Sequence, residues 1–175
     1  MTAVLTGRQL GPAQAALYAA EAETVDRCGV VWRRLADAQR AVDGLVESEW
    51  FGARWPHFVR AAVERRGDGA RWSTHQALDG AGPGGRATEG VVLVAGPLRQ
   101  ATVLHELAHL LLAGTAGHGP EFAETMLTLV RHEMGFVAFA DYFHALRRRD
   151  PFRTIRESVF DDERPAVHGA HQRQA

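Results

Sequence analysis

Two histidines four residues apart, with a glutamate beside the first, form the segment His105-Glu106-Leu107-Ala108-His109. On an α-helix, positions four apart share a face and sit about 6 Å apart along the axis. Two imidazoles so placed can each give one nitrogen to a single zinc ion. Glu106 then stands where it can take a proton from a water that the ion holds. Zinc lowers the pKa of such a water from about 15.7 to about 7, which makes hydroxide available at neutral pH. The chain has nine histidines, so the pattern alone can arise by chance. Its surroundings sharpen it, because Val103, Leu104, Leu107, Leu110, Leu111 and Leu112 make the segment apolar on nearly every side. Two imidazoles and a carboxylate buried there need partners that leucines do not offer, and a metal ion is one.

A catalytic zinc ordinarily has three protein ligands and one open position. The segment Gly117-His118-Gly119-Pro120-Glu121-Phe122 supplies the favoured third ligand, His118. Glycines on either side let the backbone turn back toward the first helix. Glu121 and Glu124 are rivals, since one turn of a second helix can also present a carboxylate. The bland alternative for His118 is an exposed helix cap. Cys28 is the single cysteine, so there is no internal disulfide framework and no cysteine-rich metal cluster.

The elements that must position these residues follow from apolar periodicity and punctuation. Gly11-Pro12 opens a helix that runs to Cys28 and stops at Gly29, with Leu17, Ala20, Thr24, Val25 and Cys28 on one side. Residues 30–32 read as a short strand and residues 35–50 as a second helix. Residues 58–64 and 70–78 read as a hairpin around Gly67-Asp68-Gly69. Gly80 to Gly85 is a loop, and Gly90 to Ala95 is the clearest strand. Three helices close the pattern: 97–113 at the centre of the domain, 120–134 ending at Gly135, and 136–149 ending at Asp150-Pro151. Residues 1–160 form one domain, and 161–175 a polar tail.

The chain has 175 residues and a formal charge of −1, so no global field draws it to nucleic acid. All 20 basic residues are Arg, Lys and Asn are absent, and Ile155 is the only Ile. The missing residues have AT-rich codons, which points to a GC-rich genome. Residues 1–10 lack a signal-peptide core, and no apolar run reaches the roughly 20 residues that span a bilayer. These features predict a cytoplasmic protein with no membrane contact.

The two motifs together resemble the metal site of the SprT-like and Spartan metalloprotease group, where a HExxH helix precedes a His-Gly-x-x-Phe/Trp segment. That likeness covers residues 98–135. Residues 10–148, with the opening Ala15-Ala16-Leu17-Tyr18-Ala19-Ala20-Glu21, resemble a family of small actinobacterial proteins described as HExxH metallohydrolases. The SprT-like resemblance implies an α+β, zincin-like fold with a small three-stranded sheet beside the active-site helix. It also implies His118 as third ligand and Glu106 as catalytic acid and base. The chain departs from Spartan-type proteins in two ways. Only eight residues separate His109 from His118, and no cysteine zinc ribbon is present. The metzincin pattern does not fit, as Leu112 stands where it requires Gly.

The resulting expectation is a zinc-dependent hydrolase acting on a peptide or protein, with one zinc per chain on His105, His109 and His118 and with Glu106 as the base. The rivals are a metal-binding module closed by Glu121 or Asp141, a DNA-associated protease, and a hydrolase of non-peptide amides. By analogy with zincins, the strand 90–95 forms the cleft rim to which an extended peptide adds as an extra strand. Asp141, Tyr142 and His144 are weighed as oxyanion stabilisers, although surface or packing roles suit each better. Arg147, Arg148, Arg149, Arg153 and Arg156 read as a solvated helix end rather than a phosphate-binding patch. Trp32, Trp50, Trp55 and Trp72 read as core or cleft wall, and Cys28 as a small buried residue. His57, His75, His132, His168 and His171 receive no role.

Overall fold

The computed structural model describes residues 11–67, 69–78, 88–112, 117–150 and 152–155. Asp68 of the expected turn, the loop from Gly80 to Gly85, Gly114 and the tail lie outside the described residues, as do Arg156, His168 and His171.

The chain begins with α1 (Pro12–Glu23), which has Pro at its first turn. Thr24 breaks the expected continuous helix with φ −124° and ψ −90°, and its hydroxyl donates to the Ala20 carbonyl at 2.7 Å. A single turn, α2 (Val25–Cys28), follows and ends at Gly29. Leu17, Ala20 and Val25 are buried as the pattern required, but Cys28 is exposed, against expectation. The break at Thr24 re-aims the following turn, so position 28 no longer continues the buried stripe.

A two-residue strand, β1 (Val31–Trp32), precedes α3 (Leu35–Val46) and α4 (Glu49–Arg54). The segment 35–50 is therefore two helices. Ser48 starts the second, its Oγ accepting from the Phe51 N–H at 3.2 Å, with Glu49 in the first turn where the helix dipole favours an acid.

Strands β2 (Arg60–Arg65), β3 (Thr74–Ala77) and β4 (Glu89–Val94) form a sheet in the order β2-β4-β3. Here β2 runs parallel to β4, and β3 antiparallel. The expected hairpin between residues 58–64 and 70–78 is absent, because both strands pair with β4 instead. Burial explains the choice. Gly90, Val91, Val92 and Val94 are all buried, which suits a central strand, whereas every residue of β3 is at least partly exposed. The same pairing overturns the idea that strand 90–95 receives a peptide, since it is hydrogen-bonded on both sides. On the far side of β2, the Gln39 side chain donates to the Ala61 carbonyl at 2.9 Å and accepts from the Val63 N–H at 2.7 Å.

A short strand, β5 (Leu98–Arg99), pairs antiparallel with β1 and leads directly into α5 (Gln100–Leu111). This helix is buried along most of its length, as its apolar pattern predicts. It packs so closely on β4 that a Cβ at Gly90 would lie 2.5 Å from a Leu110 methyl. The last helix, α6 (Pro120–Arg147), is two helices across a kink at Gly135, whose φ of 86° and ψ of 175° suit glycine alone. A short 3₁₀ turn, Phe152–Thr154, buries Phe152 against α6.

The whole is an α+β domain with one core, in which α3 packs on β2, α5 packs on β3 and β4, and α6 packs on α1 and α5; Val92, Val94, Leu107, Leu110, Met126 and Phe139 all belong to it. Trp32, Trp50 and Trp55 pack on that core, whereas Trp72 is exposed, against expectation. The Arg cluster is largely occupied: Arg149 and Arg148 reach Glu23 at 2.8 and 3.5 Å, and Arg153 reaches Asp150 at 3.0 Å. No described helix is long and apolar enough to cross a membrane.

Candidate metal centre

The helix α5 presents His105, Glu106 and His109 from its buried length, with His105 and Glu106 both under 8% exposed. The chain then returns, and His118 arrives just ahead of Pro120, which opens α6. The Nε2 atoms converge. Those of His118 and His109 are 3.1 Å apart, and those of His118 and His105 are 3.2 Å apart. A tetrahedral ion held at roughly 2 Å by each nitrogen sets its ligand nitrogens about 3.3 Å apart. The three histidines thus form a group close enough to hold a metal ion.

The outer shell is built to match. The carboxylate of Glu21, buried on α1, accepts from His105 Nδ1–H at 2.8 Å, leaving the His105 Nε2 to face the other two rings. Tyr142, fully buried on α6, donates its hydroxyl to the same Glu21 oxygen at 3.3 Å. Metal-bound histidines characteristically carry such a carboxylate behind them, which fixes the ring and raises its basicity. Phe122 lies against all three rings, with centroids 4.9, 4.3 and 5.0 Å from His105, His109 and His118. Tyr18 borders the group from α1, 5.4 Å from His105 and 5.3 Å from His118, and its hydroxyl accepts from Gln14.

Electrostatics divide the three histidines. Burial, followed by the neighbouring His105, His75 and His118, drives the His109 pKa down to about 2. Burial and the adjacent His105 and His75 bring His118 to about 4. Burial also opposes charge on His105, but the carboxylates of Glu21, Glu106 and Asp26 outweigh it, so its pKa is raised. In the metal-free cluster a single proton on His105 Nε2 can donate to His118, while His118 and His109 stay neutral. The cluster therefore carries one proton more than three neutral imidazoles would, and an incoming cation would displace it.

Glu106 has a partner that its sequence neighbourhood does not announce. His75 Nδ1, on β3, lies 3.0 Å from Glu106 Oε2, and the ring stacks on His109 at 4.6 Å with a 20° tilt. His75, Glu106 and His109 are also mutually close enough to hold an ion. The two groups share His109. In the second, however, His75 and Glu106 already satisfy one another as donor and acceptor.

The other expected residues fall elsewhere. Glu121 and Glu124 line a depression with Arg54 and Trp55 and belong to neither group. Asp141 and His144 line another with Glu23 and Arg148. Tyr142 sits behind Glu21 rather than at an open face, which agrees with a packing role. His132 lies flat on Trp50, with centroids 3.7 Å apart. Glu21 did leave a signal, since it follows Leu17 by four residues and so falls on the buried stripe of α1. His75 left none, because its relation to α5 depends on strand pairing. No protein-family model, curated protein or solved structure matches the chain.

Proposed function

We propose that this chain is a zinc-dependent hydrolase, a zincin-like peptidase with a SprT-like arrangement of ligands, working in the cytoplasm. The observation that carries the reading is the convergence of three histidine nitrogens beside a buried glutamate that is not part of their triangle. His105, His109 and His118 would hold the ion, and zinc suits three imidazoles with a carboxylate behind one of them. The chemistry that zinc supplies at such a site is acidification of a water and polarisation of a carbonyl.

The remaining work belongs to the protein. Glu106 accepts the proton of the attacking water and delivers it to the leaving amine, so one carboxylate serves first as base and then as acid. Glu21 and Tyr142 hold His105 in one tautomer and orientation. The Tyr18 ring closes one side of the site, where burial, against the opposing Gln14 hydrogen bond, keeps its phenol pKa raised and its hydroxyl protonated.

The test is elemental analysis of untagged protein beside His118→Ala, followed by a peptide-cleavage assay on Glu106→Gln. One zinc per chain in the wild type, falling sharply in His118→Ala, supports the site. Full metal with turnover reduced by about 100-fold or more in Glu106→Gln supports the mechanism. Wild-type protein that takes up no zinc would sink both.

A further inference from the structure

We propose that His75 is a positioning residue for Glu106: its Nδ1–H holds Glu106 Oε2 and so reserves the other carboxylate oxygen, Oε1, for the reacting water. This inference rests on the hydrolase reading above. Among the described residues Glu106 has no hydrogen-bond partner but His75. An ionised carboxylate has no proton to donate, so the imidazole must supply one from Nδ1. A glutamate side chain on a buried helix has three rotatable bonds, and fixing one oxygen removes the rotamers that would turn the carboxylate from the ligand triangle.

The support for His75 is a paired strand. Thr74 and His75 are in register with Leu93 and Val92 of the central strand, and β3 packs against α5. The ring is also pinned by its stack on His109. One side chain therefore touches both the proposed base and a proposed ligand, which links the orientation of the carboxylate to that of the metal site. The strand supplies that position from outside the motif that supplies the base itself.

The rival role for His75 is a fourth metal ligand, and three measurements separate the two. Zinc affinity is read by chelator competition for wild type, His75→Phe and His75→Asn, with circular dichroism checking that each variant folds. Hydrolysis is read on a pool of unmodified peptides of mixed sequence, with kcat and KM then determined on a peptide the wild type cleaves. Imidazole ¹⁵N spectra of zinc-loaded wild type and Glu106→Gln read the hydrogen bond without reference to turnover.

In His75→Phe, zinc affinity should stay within about threefold of wild type and KM should change little, while kcat falls by about 10–100-fold. His75→Asn, whose amide NH₂ can replace Nδ1–H, should recover most of that loss. The His75 signal should show a protonated Nδ1 and no metal-bound nitrogen, and should shift in Glu106→Gln. A metal-bound His75 nitrogen in the zinc-loaded wild type would make His75 a ligand and overturn the proposal, and so would a tenfold loss of zinc affinity in His75→Phe, which the positioning role does not predict. Equal kcat values in the Phe and Asn variants would overturn it as well. A zinc-loaded wild type that shows the Nδ1 proton but cleaves nothing would end the hydrolase reading, and the positioning role with it.

Discussion

Glu21 illustrates how much of the site lies outside its motif. It is a carboxylate buried on α1 that receives His105 Nδ1–H at 2.8 Å and the Tyr142 hydroxyl at 3.3 Å. Its removal would leave His105 free to rotate and to change tautomer. Glu21→Ala is expected to weaken zinc binding by about 10–100-fold, measured by chelator competition. Tyr142→Phe should weaken it less, because the tyrosine acts only through Glu21 and at a longer distance. Equal zinc affinity in wild type and Glu21→Ala would mean that the His105 ring is held by packing against Phe122 and Tyr18 instead. At this scale the spacing of His105, Glu106, His109 and His118 identified the residues that converge, because helix geometry and one glycine-flanked turn are local matters. Tyr18 and Glu21 were visible as part of a helix, but nothing local said which way that helix would face. His75 was silent for the same reason, since only pairing with residues far along the chain brings it to Glu106.

Elements were legible where local punctuation decided them and illegible where competition did. Gly135 marked the boundary inside α6, and the conformation found there, φ 86° and ψ 175°, explains why. A Cβ at position 135 meets no atom within 4 Å, so the cost of Gly135→Ala is backbone strain alone. That strain should lower stability by about 1–3 kcal/mol, read as a lower urea midpoint with an unchanged slope. Zinc affinity should be unaffected. An unchanged midpoint would show that the two halves of α6 can rejoin as a straight helix without loss. The sheet teaches the opposite lesson. A turn signal at Gly67-Asp68-Gly69 suggested that the flanking strands pair with each other, yet β4 outcompetes both because it alone is buried along nearly its whole length. The division at Ser48 was available as a capping signal but was masked by continuous apolar periodicity across residues 35–50.

For the molecule as a whole, the cluster makes stability, and the zinc binding proposed for it, depend on pH in a definite direction. His109 and His118 have folded-state pKa values of about 2 and about 4, against about 6.5 in an unfolded chain. Between those limits the unfolded chain binds more protons than the folded one, so their contribution to stability is present above about pH 6.5 and is lost as the pH falls toward 4. His105 has the opposite sign, since its raised pKa contributes stability that is present at low pH and lost as the pH rises through its folded value. Two groups outweigh one, so the metal-free protein should lose melting temperature on acidification from pH 7 to pH 4.5. The same assignment fixes how many protons zinc must displace. Three ordinary histidines at pH 6 would together carry about two protons, which an incoming zinc would expel. Here His109 and His118 carry almost none, and only His105 has a proton to give. Calorimetric titration of zinc at pH 6, in buffers of different ionisation enthalpy, should therefore show about one proton released per ion. Two or more would mean that the imidazoles are ordinary and independent in the free protein, and that zinc itself draws them together rather than entering a cluster already arranged to receive it.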